Sequence, residues 1–356
     1  MNKKSCKRIF SCICLAWTLF LSACAVFVCS AEESERTVRV NEPIEHLFTH
    51  CLISHPEIAF KTGNDYGKYL DRDCLTPKEF SAILEVLNEQ SYALVDIRET
   101  YELCENGAKR KTFKFPINKK PLILSFDDVV YARKNQGKGM SDRLVLSETG
   151  EILACTDNKT HKNEFVPILE DFIKKHPDFS VGNARGILFL TGFDGILGYR
   201  TERNSLNRAA ETKEVKKLIS ALKQKGWIFG SHSYSHAHMR SYSAEEMQSD
   251  AEKWNNEVAP LIGTTDLYAY PYGEWCFGEK GDDKRQDALN RAGFKVFFGV
   301  GENPFYTKMP LHDCPQKVLF QDRCPLDGVS LRNGKLARLF DCEDIYDHRR
   351  PLPYRE

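Results

Sequence analysis

The chain has 356 residues, in which 50 Lys and Arg are balanced by 50 Asp and Glu. A formal net charge of zero argues against a nucleic-acid partner, because nucleic-acid binding usually needs a basic surface. Hydrophobic residues make up 42% and charged residues 28% of the chain, which is ordinary for a globular protein of one large or two small domains.

The N-terminus has the pattern of an export signal. Residues 9–31 are mainly apolar and follow four basic residues, Lys3, Lys4, Lys7 and Arg8. We expect residues 1–31 to be a signal peptide or a membrane or lipid anchor, and residues 32–42 to be a linker. Three alternatives stay open: a lipidated Cys24 in a lipobox-like Leu-Ser-Ala-Cys, cleavage after Ala31, and an uncleaved span long enough to cross a bilayer. Each places the protein outside the cell or on the outer face of the cell membrane.

Cysteine usage agrees with export. Of the 13 cysteines, eight follow the predicted signal. An even number in an exported protein permits disulfides, but the sequence does not give their pairing. The exported part contains no Cys-x-x-Cys, so a zinc site made of cysteines is not expected.

Predicted strands and helices alternate over residues 43–356, which we expect to form one domain. The predicted strands cover residues 46–53, 92–97, 122–126, 186–191, 227–231, 266–270 and 294–298. The predicted helices cover residues 165–175, 211–225 and 284–292, with two more that begin at Thr76 and Ser243. Both of these begin with the spacing of a capping box. An insert over residues 131–160 contains a predicted hairpin, residues 143–154.

This alternation predicts an α/β fold with a mainly parallel sheet. The residues able to do chemistry come directly after predicted strands. In α/β barrels the active site forms at that end of the strands.

Asp127 and Asp128 directly follow the apolar strand over residues 122–126. Neighbouring side chains on an extended chain point in different directions, so the two carboxylates can have different roles. One can bind a metal while the other acts as a base. The alternative is a helix N-cap beside a solvated turn acid.

His232 and His236 lie four residues apart, after another predicted strand, so both can face one metal. With Asp128 as third ligand they would form a set that suits a divalent metal, zinc first, with positions left open for water. Such a metal lowers the pKa of water and polarises a carbonyl. Asp127 would remain free to take a proton. The alternative is a hydrogen-bonded pair of loop histidines; His238 is expected outside the ligand set.

Three short motifs carry a resemblance to a known family. Ser-Phe-Asp-Asp at residues 125–128, His-Ser-Tyr-Ser-His at residues 232–236 and Tyr-Pro-Tyr-Gly at residues 270–273 resemble the first three motifs of the polysaccharide deacetylases, carbohydrate esterase family four. Their order and spacing are also similar. The resemblance implies that residues 43–356 are a catalytic domain with a distorted (β/α) barrel, which removes acetyl groups from N- or O-acetylated sugars.

The resemblance also implies roles for individual residues. Asp127 would be the general base, and Asp128, His232 and His236 would bind the metal. Tyr272 would donate its backbone N–H to the oxyanion, a contact typically worth about 3 kcal/mol of barrier.

The chain departs from the family pattern at Ala269, where the family usually has an arginine that orients the base. Arg323 is our candidate to replace it, and Arg332 is the second candidate. The biofilm-polysaccharide deacetylase type, which this chain resembles most, also has Ala-Tyr-Pro-Tyr-Gly, so the change does not imply inactivity.

A second departure concerns the general acid, which the family usually takes from a late Leu-x-His. Leu311-His312 does not fit that motif and comes early. In the biofilm type a strand near the N-terminus ends in Tyr-His, which Phe48-Thr-His50 resembles. We therefore prefer His50 to His312.

The sequence thus predicts an exported, metal-dependent carbohydrate deacetylase that acts on an acetylated cell-envelope polysaccharide. Two alternatives stay open. One is a small-molecule amidase or esterase of the same fold. The other, motivated by Ala269, is a carbohydrate-binding relative without activity.

Overall fold

The computed structural model describes residues 37–61, 66–105, 107–276, 284–301, 306–308 and 318–354. The strands are β1 (Thr37–Val40), β2 (Glu45–Thr49), β3 (Tyr92–Leu94), β4 (Tyr101–Cys104), β5 (Gly107–Arg110), β6 (Phe113–Pro116), β7 (Lys120–Phe126), β8 (Arg143–Leu146), β9 (Ile152–Thr156), β10 (Lys159–His161), β11 (Ile187–Leu190), β12 (Ile228–Ser231), β13 (Leu267–Ala269), β14 (Val296–Val300), β15 (Tyr306–Lys308) and β16 (Val318–Pro325). The helices are α1 (Pro56–Ala59), α2 (Gly67–Asp73), α3 (Pro77–Glu89), α4 (Phe165–Lys175), α5 (Arg208–Gln224), α6 (Ala244–Glu257), α7 (Ala259–Ile262), α8 (Lys284–Arg291), α9 (Gly328–Arg332) and α10 (Cys342–Ile345).

Seven parallel strands form a closed barrel. They follow one another round the barrel in chain order, β2, β7, β11, β12, β13, β14 and β16, and the pairing of β16 with β2 closes the ring. Helices α3, α4, α5, α6 and α8 lie in the connections between these strands. The predicted α/β class and (β/α) barrel are confirmed.

Alternate residues of the barrel strands face two different apolar clusters. One fills the barrel interior and includes Ile123, Ile187, Phe189, Val296, Phe298 and Leu319. The other lies between barrel and helices and joins strand residues such as Leu124 and Leu188 to Phe165 of α4 and Trp254 of α6. Because side chains alternate along a strand, both faces of the barrel wall are buried.

Small antiparallel sheets lie outside the barrel. The hairpin predicted over residues 143–154 forms as β8 and β9, and β10 adds a third strand to this sheet. Strand β1 pairs with β6, although its residues fall within the predicted linker, 32–42. The strand predicted over residues 46–53 ends at Thr49, and residues 50–53 form a loop.

Local sequence signals set the start of two helices correctly. Thr76 Oγ1 accepts the Glu79 backbone N–H at 3.3 Å, and the Glu79 carboxylate accepts the Thr76 N–H at 2.8 Å. Ser243 and Glu246 make the same reciprocal pair at the start of α6. Both predicted capping boxes are therefore confirmed.

No helix within the described ranges is both long and apolar enough to cross a bilayer. The signal or anchor predicted over residues 1–31 lies outside those ranges.

Candidate active site

The predicted site residues meet at one end of the barrel. Asp127 and Asp128 follow β7, His232 follows β12, and His50 follows β2. The Asp127 N–H donates to the Thr49 carbonyl at 2.9 Å, so the first residue after β7 stays tied to the end of β2. Since all seven strands are parallel, their carboxyl ends share this mouth.

Asp128, His232 and His236 form a cluster in which each offers a ligand atom, and these atoms lie within 4.8 Å of one another. His232 Nδ1–H donates to the Ala269 carbonyl at 2.8 Å, which leaves Nε2 free for a ligand bond. Burial lowers the pKa of His236 to about 4, so its imidazole is neutral at pH 7, as a metal ligand must be. The donor set therefore fits a divalent metal such as zinc.

Asp127 and Arg323 form a buried, two-point ion pair. The Arg323 Nη1 and Nη2 groups donate to the two carboxylate oxygens of Asp127 at 2.7 and 2.8 Å. Asp127 is 2% and Arg323 0% exposed. Burial raises the pKa of Asp127, but the Arg323 guanidinium, together with His232 and His50, outweighs burial and holds this pKa well below its usual range.

Arg323 thus makes the contact with Asp127 for which the sequence proposed it, whereas Arg332 does not. Arg332 Nη1 donates to Asp71 Oδ2 at 2.9 Å instead. Ala269, at the usual arginine position, is fully buried in the interior cluster and supplies its carbonyl to His232.

His50 lines the same cavity as Asp128, His236 and Tyr272. Its Nδ1–H donates to the Asp73 carbonyl at 2.8 Å, which fixes the orientation of the ring. Burial lowers the pKa of His50, but Asp128, Asp127 and the Asp73 carbonyl together raise it above its usual value. His312, the alternative acid, lies outside the described residues.

Tyr272 lies in a single 3₁₀ turn, Pro271–Gly273, directly after β13. A backbone N–H in the first turn of a helix has no partner within that helix, so it can face a ligand. Tyr272, Asp128 and His236 have φ of 58°, 56° and 51°, in the left-handed region that side chains disfavour. Such strain typically clusters at functional sites.

His238 is near the cluster but does not belong to it. Its side chain is 64% exposed, and its Nδ1 lies 3.0 Å from Glu274 Oε1. Its ring stacks on Tyr272 with centroids 4.1 Å apart. This agrees with its predicted place outside the ligand set.

A cavity of about 350 Å³ opens at the candidate ligands and is lined by aromatic rings. Tyr66 directly precedes α2, Tyr69 lies in α2, and Phe193 lies in the loop after β11. Tyr69, Phe193 and Tyr272 are 56%, 38% and 56% exposed. The sequence did not predict this wall, because α2 has no side-chain N-cap to mark its start. For Phe193 the sequence gives one signal, an aromatic residue shortly after the end of a predicted strand.

The family comparison reaches part of this site. Residues 188–297 match the family model described as polysaccharide deacetylase. The match contains His232, His236 and Tyr272 and begins after Asp127 and Asp128. This segment of the chain is therefore similar to polysaccharide deacetylases.

One curated protein with a deacetylase name is similar to part of this chain. The peptidoglycan-N-acetylmuramic acid deacetylase PdaA of Bacillus subtilis is 26% identical over 132 residues, which are 36% of this chain. The match spans 41% of the length of that curated relative.

Solved structures of deacetylases are also similar. The Streptococcus pyogenes deacetylase PplD, in complex with acetate, has a TM-score of 0.44 and 13% identity, over 83% of this chain and 98% of that chain. A polysaccharide deacetylase from Bacillus cereus has a TM-score of 0.43 and 14% identity, over 82% of this chain and 68% of that chain.

Proposed function

We propose that this protein is an exported, metal-dependent deacetylase of an acetylated cell-envelope polysaccharide, with an N-acetylhexosamine polymer as the first candidate substrate. The observation that carries the proposal is the Asp127–Arg323 ion pair beside the ligand cluster of Asp128, His232 and His236. A fixed carboxylate next to a three-ligand site is an arrangement that suits metal-assisted hydrolysis of an acetyl group.

In this proposal Asp127 takes the proton of the attacking water. Its low pKa makes it a weak base, so it needs a water of raised acidity, which is the chemistry that a divalent metal held by Asp128, His232 and His236 would supply. Arg323 keeps the carboxylate ionised and holds both of its oxygens in place. The base is therefore oriented before the substrate binds.

Two further residues complete the proposed mechanism. The Tyr272 backbone N–H donates to the oxygen of the acetyl carbonyl as it becomes negatively charged. His50 protonates the leaving amine or alkoxide, because it shares the cavity with the ligand cluster and is oriented by Asp73.

The substrate class is proposed from the cavity and the relatives. The exposed rings of Tyr69, Phe193 and Tyr272 offer flat apolar faces on which sugar rings can stack. The name of the Bacillus subtilis relative gives it an acetylated cell-wall sugar as substrate. Within the family we place the chain with the biofilm-polysaccharide type, on the basis of Ala-Tyr-Pro-Tyr-Gly and of His50 after the first barrel strand.

We also propose export, with attachment to the outer face of the membrane through residues 1–31 as one form of it. The apolar stretch preceded by basic residues supports this.

The proposal is tested by measuring acetate release from a panel of acetylated glycans and small acetyl esters and amides, before and after a chelator. We expect release from an acetylated polymer, its loss on chelation and its recovery with zinc or another divalent metal. Release from small esters or amides alone would instead identify a small-molecule hydrolase. Bound metal without hydrolysis of any substrate would identify an inactive carbohydrate-binding relative.

A further inference from the structure

A line of buried polar side chains runs through the barrel interior behind Asp127. His46 lies on β2, Ser125 on β7, and Gln321 and Arg323 on β16. They are 2%, 1%, 4% and 0% exposed. The interior of a small barrel is normally filled by apolar side chains, and buried polar groups are costly unless they are hydrogen-bonded. Four such groups in contact therefore need an explanation.

Chemistry fixes the direction of each hydrogen bond in this line. The Arg323 guanidinium can only donate, so Ser125 Oγ accepts from its Nη1 at 3.1 Å. The Gln321 amide nitrogen donates to the Ile44 carbonyl at 2.8 Å, so Gln321 Oε1 is the atom that faces His46 Nδ1, at 3.4 Å, and accepts its proton in a hydrogen bond. The His46 proton is therefore on Nδ1, and Nε2 accepts from the Ser125 hydroxyl, 2.9 Å away.

The line ends on the proposed base. Arg323 Nη1 is shared between Ser125 Oγ at 3.1 Å and Asp127 Oδ1 at 2.7 Å. The Phe48 ring, 4.3 Å from the guanidinium carbon, packs against the group. Ser125, together with the Gly299 carbonyl that accepts from Arg323 Nε at 3.4 Å, therefore restricts the rotation of the guanidinium within its plane, and that rotation decides where both oxygens of Asp127 lie.

His46 supports this arrangement without adding charge. Burial and the nearby Arg323 guanidinium lower the pKa of His46 well below its usual value, so the imidazole is neutral. A neutral imidazole with its proton on Nδ1 can accept the Ser125 proton, which a charged imidazole cannot.

We propose that Ser125 and His46 are positioning residues for the deacetylation proposed above, on which this inference rests. They orient Arg323 from behind, and through it the Asp127 carboxylate. Neither residue lines the substrate cavity. Their loss should therefore lower kcat and leave KM nearly unchanged, by about the 10–100-fold that removing an outer partner of a site typically costs.

The test uses two substitutions of His46 that differ by one methylene. In His46→Gln the longer side chain brings its amide oxygen to the place of Nε2, where it accepts the Ser125 proton. In His46→Asn the amide reaches only the place of Nδ1 and leaves Ser125 without its acceptor. We expect His46→Asn and Ser125→Ala to lose about 10–100-fold in kcat, and His46→Gln to recover most of this loss. Ser330→Ala, at a serine of α9 that is 1% exposed, is the matched control and should keep the wild-type kcat.

Rates are measured on the best glycan of the panel, per bound metal, with thermal unfolding recorded for each variant. Wild-type kcat in both Ser125→Ala and His46→Asn, or equal losses in His46→Asn and His46→Gln, would overturn the inference while the proposed function stands. A raised KM with unchanged kcat would also overturn it. A wild-type protein that releases no acetate would overturn the proposed function and this inference with it. If Ser125→Ala does not fold, the two His46 variants decide.

Discussion

His236 and His238 lie two positions apart in one loop, yet their surroundings differ. His236 Nε2 is 3.4 Å from Asp128 Oδ1 and faces the candidate metal ligands. His238 points to Glu274 and is mostly exposed. Two histidines in one loop therefore allow a direct comparison between a proposed metal ligand and a residue outside the ligand set.

We expect His236→Ala to lose metal affinity by more than the 10–100-fold typical for removal of an outer partner, because a ligand itself is lost. His238→Ala should keep the wild-type affinity. Competition with a chromophoric chelator measures both. Equal metal affinity in the two variants would contradict the proposed ligand set.

Arg323 is the residue on which the ionisation of Asp127 depends. In Arg323→Ala the buried carboxylate loses its strongest countercharge, and its pKa rises because burial is then opposed by the weaker effects of His232 and His50. Asp127 would consequently become protonated at a higher pH, so the acid limb of the pH–kcat profile should move to higher pH. We expect the acid limb of Arg323→Lys to lie between those of wild type and Arg323→Ala, since lysine supplies a charge but cannot make the two-point contact. An unmoved acid limb in Arg323→Ala would show that Arg323 does not control the base.

At the scale of residues, short motifs could predict Asp127 and the ligand set, because these residues lie in two runs of a few residues each. The supporting contacts could not be derived from local pattern. Ser125 and Arg323 are 198 positions apart, and His46 and Ser125 are 79 apart. Arg323 is indicated only by the resemblance, through the arginine that is missing at position 269. His46 is a histidine at the start of an apolar predicted strand, a pattern that by itself indicates no role.

At the scale of elements, one carboxylate links the start of helix α4 to the loop after β2 by hydrogen bonds. Glu164 Oε1 accepts the Phe165 N–H at the start of α4 and the Leu52 N–H, both at 2.9 Å. Burial raises the pKa of Glu164 from 4.5 to about 8, although these two hydrogen bonds lower it. The helix start is therefore a pH-sensitive element next to the site.

The folded protein binds the Glu164 proton more tightly than the unfolded chain. The contribution of Glu164 to the unfolding free energy therefore falls as pH rises from about 4.5 to about 8, by at most about 1.4 kcal/mol per pH unit. Glu164→Gln keeps an acceptor for both N–H groups and should remove this slope. Denaturant unfolding across that pH range measures it, with Glu148→Gln at an exposed position as control. Equal slopes in wild type and Glu164→Gln would contradict the assignment, since other groups such as His50 and His236 contribute to both slopes.

Apolar periodicity and capping signals were enough to predict most elements of the barrel. The helix predicted over residues 165–175 has the bounds of α4, and both capping boxes formed. Short elements such as α2 and β1 were missed, because α2 lacks a side-chain cap and β1 is stabilised by pairing with β6, 76 positions further on. Their stability comes from tertiary contacts, which local propensity does not contain.

At the scale of the whole molecule, the C-terminal segment is tied to the wall of the cavity. The Arg350 guanidinium donates to both carboxylate oxygens of Glu79 in α3, at 2.7 and 2.6 Å. It also donates to Asp71 Oδ1 in α2 at 3.0 Å. All three side chains are buried. The segment near residue 350 thereby holds α2, which carries Tyr69 at the cavity.

Two adjacent arginines provide a matched test of this contact. We expect Arg350→Leu to lower the unfolding free energy by about 3–5 kcal/mol, because it leaves the buried Glu79 carboxylate without its charged partner, whereas Asp71 keeps Arg332. Arg349→Ala should cost less than Arg350→Leu, since the Arg349 side chain is 54% exposed although its partner Asp347 is buried. Denaturant unfolding compares the two, and equal losses would refute the proposed role of Arg350. No local pattern predicts this contact, because Arg350 and Glu79 are 271 positions apart.

The central claim is that Asp127 is the base of a metal-dependent deacetylase. It is tested most directly by acetate release from an acetylated glycan by wild type and Asp127→Asn, with bound metal quantified in both. Asparagine has nearly the shape of aspartate but cannot accept the proton. We expect Asp127→Asn to bind as much metal as wild type and to release acetate about 10²–10⁴-fold more slowly. A variant as fast as wild type, with full metal, would contradict the account.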